Sequence, residues 1–85
     1  MTIKQCVEQA YFQSRKHYVF TFETNLLTNI QEQVGRTFTE RQKHEICHRI
    51  WDVQRKTGAK GLEFIELVSK ITIKYLREIE ERQPE

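Results

Sequence analysis

Residues 62–82 read LEFIELVSKITIKYLREIEER. Phe64, Leu67, Val68, Ile71 and Tyr75 recur at three- and four-residue intervals, the period of an α-helix with one apolar face. A second strip runs beside them. Positions 62, 65, 69, 72, 76 and 79 are Leu, Ile, Ser, Thr, Leu and Ile, again at three-four spacing, with Ile73 at their edge. That is more apolar perimeter than a peripheral helix of a small monomer requires. Either this helix is central and buried nearly all round, or it packs against another chain. Burying one Leu or Ile is worth about 1.5–3 kcal/mol, so an uncovered strip is a solubility problem. The strip Leu62, Ile65, Thr72, Ile73, Leu76 and Ile79 is therefore the expected oligomer or partner interface.

Upstream, TGAKG (57–61) holds two of the three glycines and breaks a preceding helix that ends near Lys56. That helix begins in RTFTERQ, where Thr37 with Glu40 and Thr39 with Gln42 both fit a capping box. An earlier helix spans about Phe22 to Val34, with Leu26, Leu27 and Ile30 on its stripe and Gly35 as its stop. The first helix is capped by Thr2 with Gln5 and runs to about His17 through Ile3, Val7, Ala10 and Tyr11. YVFTF (18–22) has strand-like content but no second strand to pair with, so it reads as a connector or a continuation of helix. The expected fold is an all-α bundle of about four helices, one domain over residues 1–82, with residues 83–85 a frayed tail.

Totals fit that reading. Eighty-five residues with 38% hydrophobic and 31% charged side chains are too apolar for a disordered chain. Three Gly and one Pro are too few for an all-β fold. No apolar run reaches the roughly 18 residues of a membrane span, and MTIKQCVEQAYF does not resemble a secretory leader. Cys6 and Cys47 are most simply small buried hydrophobes. A cytoplasmic protein without membrane attachment is the expectation.

The net charge of +2 is unevenly placed. Residues 36–60 carry seven basic and three acidic side chains, between a neutral N-terminal and an acidic C-terminal flank. Arg41, Lys43, Arg49, Arg55, Lys56 and Lys60 are the candidate contacts to a nucleic-acid backbone or an acidic partner. Cations at a helix C-terminus also suit its dipole, so Arg55 and Lys56 have a purely structural reading too. SRKHY (14–18) is a secondary contact candidate. The aromatics Tyr11, Phe12, Phe20 and Phe22 read mostly as core.

HEICH (44–48) matches H-E-x-x-H, in which two histidines hold zinc and the glutamate serves as general base. Glu63 or Glu66 would be the third ligand in a layout resembling gluzincins. The match covers five residues, lacks a supporting sheet, and has Arg41, Lys43 and Arg49 around it, which disfavour a dication. The first reading is a surface histidine pair. Chelation of zinc or nickel by His44 with His48, or by His44 with Cys47, is the weaker alternative.

No acid–base pair, Ser-His-Asp set or phosphate loop stands out. The function expected is binding, not catalysis: a helical adaptor, inhibitor, regulator or assembly subunit that is homodimeric or binds a protein partner. It would need no cofactor and no small-molecule substrate. The alternatives are a nucleic-acid-backbone binder and, last, a zinc hydrolase on His44, Glu45 and His48.

Overall fold

The computed structural model describes residues 2–17 and 21–82, with the side chains of residues 2–14 and 21–81. The expectations for residues 18–20 and 83–85, and most of SRKHY, lie outside the described residues. Four helices follow one another: α1 (Ile3–His17), α2 (Phe22–Val34), α3 (Glu40–Thr57) and α4 (Leu62–Arg82). There is no strand among the described residues.

Local chemistry sets each boundary. Thr2 and Gln5 close a reciprocal box at the start of α1: Gln5 N–H donates to Thr2 Oγ1 at 3.1 Å, and Thr2 N–H to Gln5 Oε1 at 2.8 Å. Thr21 is extended and its hydroxyl accepts from Thr24 N–H, so α2 begins at Phe22. Of the two boxes open at the start of α3, Thr39 with Gln42 forms. Gly35 and Gly58 take the left-handed conformation at φ 69° and 67°, where a side chain would be strained, and their N–H groups close the last turns onto Gln31 O and Gln54 O. Gln31 also reaches forward. Its Oε1 accepts from Phe38 N–H at 2.8 Å, which holds the connector between α2 and α3 and seats the buried Phe38 ring.

α1 and α2 pack most closely. The α1 positions at the seam are small, with Cys6 and Ala10 buried and Ser14 one turn on. Asn25 Nδ2 donates to Ser14 Oγ at 3.1 Å and Asn29 Nδ2 to the Cys6 carbonyl at 3.3 Å, so the seam is satisfied as well as tight. α4 packs on α1 on one side and on α3 on the other. The start of α2 also reaches α3 and α4, through Phe22 on Trp51 and Phe64 and through Glu23 on the Trp51 indole N–H. Phe64 near the start of α4 stacks on Trp51 late in α3, while Tyr75 reaches Glu45 early in α3, so these two helices run antiparallel.

This two-sided packing explains the broad apolar circumference of α4. Val68 and Tyr75 of its first stripe are buried, and so are Ile65, Thr72 and Ile79 of its second. The expectation that these last three front an external strip is corrected: the neighbouring helices cover them. Leu62 (77% exposed) and Ile73 (37%) remain outside, and Leu76 is half-buried. Among the alternatives for this helix, the central position in the bundle is the one the fold adopts.

Two hydroxyls on the covered strip are treated differently. Ser69 Oγ donates to Ile65 O at 2.7 Å, whereas Thr72 Oγ1 is fully buried without a hydrogen-bond partner. A buried unpaired hydroxyl costs about 1–3 kcal/mol. Thr72→Val is therefore expected to leave stability unchanged or raise it by about 1 kcal/mol in urea unfolding. A clear loss would show that the hydroxyl is used.

Candidate functional site

Two concave regions lie at opposite ends of the α3·α4 pair. The first is polar. α3 contributes Arg41, His44, Glu45 and His48, and α4 contributes Tyr75 and Ile79, around an open groove of about 670 Å³. His44 and His48 are exposed one helical turn apart, and neither makes a hydrogen bond or ion pair to a described residue. Glu45 between them is committed elsewhere. Its Oε2 accepts from the Tyr75 hydroxyl at 3.1 Å and its Oε1 from Arg49 at 3.4 Å.

Arg49 is the fastener of this end. Its guanidinium donates to both Glu78 oxygens, at 2.7 and 3.0 Å, and lies 5.0 Å from the centre of the Tyr75 ring. The bonded carboxylate of Glu78 raises the Arg49 pKa above its ordinary value, working against partial burial. The pair is intramolecular, which takes Arg49 out of the expected external contact set.

The gluzincin-like layout does not assemble. Glu63 and Glu66 lie at the opposite end of α4 from Tyr75 and Ile79. The nine residues from Glu66 to Tyr75 alone span about 14 Å of helix. No group of three or more His, Cys, Asp or Glu with metal-holding geometry exists among the described residues. Cys47 is not beside His44 in the groove. It is half-buried, and burial first, then the nearby Glu23, pushes its thiol pKa up. Cys6 is raised chiefly by burial too, and its thiol donates to Asn29 O at 3.6 Å.

The six expected basic contacts do not form one patch. Arg41 and Lys43 sit at the start of α3, and Arg55, Lys56 and Lys60 at its end or just beyond. Fourteen residues of helix, about 21 Å, separate Arg41 from Arg55. Several are also engaged: Lys43 with Glu40 at 3.2 Å, Lys56 and Arg55 with Asp52 at 3.0 and 3.8 Å. Arg41 and Lys60 have no carboxylate partner among the described residues.

The second concave region is aromatic. Tyr11 of α1, Phe22 of α2, Trp51 of α3 and Phe64 of α4 bring one ring from each helix into a single cluster. Trp51 stacks on Phe64 at 5.8 Å and 25°, Phe22 meets Phe64 at 5.4 Å, and Tyr11 meets Phe64 at 6.2 Å. Among the described residues the cluster is not sealed. Its rings border an open groove of about 450 Å³ whose rim includes Ser14, Gln54 and Lys60. Phe12, 56% exposed, meets Tyr11 edge to face at 5.6 Å. Trp51 Nε1 donates to Glu23 Oε1 at 2.7 Å, which fixes the indole plane. The sequence presents Tyr11 and Phe22 as core residues of separate helices. That they converge with Phe64 on one open end is a tertiary fact.

No family model, curated protein or solved structure matches this chain.

The α3·α4 fastener yields a stability ranking. Glu78→Gln is expected to lower stability by about 1 kcal/mol, since it weakens a two-bond, partly shielded pair. Asp52→Asn should have little effect, because its partners are exposed. The hydrogen bond and charge of Lys56 hold the Asp52 carboxyl below its usual range. What that group contributes is present above about pH 4 and disappears only as pH falls through its lowered pKa. Equal losses for the two variants in chemical denaturation would contradict the ranking.

Proposed function

We propose that this chain is a non-enzymatic helical interaction protein that receives a short apolar segment of a protein partner in the aromatic groove. The single observation that supports this reading is the open cluster of Tyr11, Phe22, Trp51 and Phe64, one ring from each helix, with the exposed Phe12 against Tyr11. Rigid aromatic walls offer large apolar area at little cost in side-chain entropy, and such walls anchor partner side chains in many interfaces. Lys60 at the rim supplies a donor for a backbone carbonyl or carboxylate of the incoming segment.

The strip on α4 offers less. Its exposed members Leu62 and Ile73 are separated along the helix by exposed Glu66 and Lys70, so the apolar surface there is interrupted. A nucleic-acid role has weaker support as well, because the basic side chains are divided between the two ends of α3 and several are paired. No described helix is long and apolar enough to cross a membrane.

Trp51 is the sole tryptophan and lies in the groove wall, so it is a built-in reporter. Selection of displayed random peptides against the intact chain should enrich sequences with an aromatic or branched aliphatic anchor, and their binding should shift Trp51 emission. Phe12→Glu should weaken that binding about tenfold, the equivalent of about 1.4 kcal/mol, while Ile73→Glu should not. Failure to enrich apolar anchors, or equal sensitivity to both variants, would count against the groove.

A further inference from the structure

The histidine pair of HEICH is left without a role by the aromatic groove, and the fold separates its parts. Glu45, which would be the base of a zinc hydrolase, is bonded to Tyr75 and Arg49. His44 and His48 instead line the open polar groove and make no hydrogen bond to a described residue. Residues four apart on a helix have Cβ atoms about 5–6 Å apart, a spacing from which two imidazoles can share one metal ion. Among the described residues no third ligand is grouped with them. Glu45 is occupied, Cys47 is turned inward, and Asp52, one turn beyond His48, holds Lys56 and Arg55.

We propose that His44 and His48 are half of a zinc site, completed by the same two residues of a second copy of the chain. Zinc takes four ligands in a tetrahedral arrangement, and one pair leaves two positions open. A two-fold dimer supplies them from an identical surface, because a symmetric interface repeats each contact. The ion would bridge two α3 helices across their polar grooves, at the far end of the α3·α4 pair from the aromatic cluster. Arg41 lines the same groove and opposes a dication. Its removal should therefore tighten the site.

The inference does not depend on the aromatic groove, and the two fail separately. Sedimentation velocity on the chelator-treated chain, titrated with zinc chloride, tests it directly. The expected result is a doubling of mass at one zinc per two chains, reversed by chelator. His44→Ala or His48→Ala should each weaken zinc binding at least tenfold and abolish the doubling, with helicity by circular dichroism retained. Both side chains are exposed, so the fold should survive. Cys47→Ser should leave the zinc response intact, and Arg41→Ala should strengthen it severalfold. A mass that ignores zinc, one zinc per chain without dimerisation, or equal zinc binding by the His44→Ala, His48→Ala double variant would each overturn the proposal.

Discussion

The position of α4 between α1 and α3 is the constraint on which the rest of the structure depends. A helix with two apolar strips must be covered on two sides, and a short chain has few elements with which to do it. Here α1 covers one side and α3 the other, which puts Ile65, Thr72, Tyr75 and Ile79 out of solvent. α2 contributes by packing along α1, where Cys6 and Ala10 are small enough for a close seam with its asparagines, and by meeting Trp51 and Phe64 through Phe22. The four-helix order follows from the need to cover a helix with two apolar strips on two sides.

That arrangement gives α3 two unlike ends. Its early part meets the late part of α4 through polar fastenings, with Arg49 bridging Glu78, Tyr75 and Glu45. Its late part meets the early part of α4 through stacked rings, with Trp51 on Phe64. The polar end is held by directional bonds between side chains, and the aromatic end by area. A groove lies at each end. The two grooves therefore differ in chemistry for the same reason that the two seams do.

Much of the fold was legible in the sequence because it rests on local signals. Thr2 with Gln5, Thr39 with Gln42, Gly35 and Gly58 mark helix ends through contacts within a few residues, and the helical spacing of apolar residues sets the class. The ambiguity at α3, Thr37 or Thr39, was open because both spacings fit and only the backbone conformation distinguishes them. What could not be read was which strip of α4 would face inward. Both have the correct period, and the choice depends on how many neighbours the helix acquires. The sites were less legible still. Glu45 with Tyr75 and Arg49 with Glu78 are about thirty residues apart in sequence, and no local pattern pairs them. The basic block looked continuous because the chain lists its charges in order. A helix spreads that order along an axis at about 1.5 Å per residue, and carboxylates one turn away offset part of it.

HEICH shows how a short motif acquires its meaning from outside itself. The three side chains leave one helix at fixed angles, so their spacing alone is the same in a hydrolase and on an ordinary surface. The difference is made by what meets each one. On this fold Tyr75 and Arg49 take the glutamate, and the carboxylate that would accept a proton from metal-bound water accepts two hydrogen bonds instead. The histidines line the open groove. Ligand spacing and base availability are thus separable properties of the same five residues. The α3·α4 seam, which exists to bury Tyr75 and the strip beside it, removes the second while leaving the first.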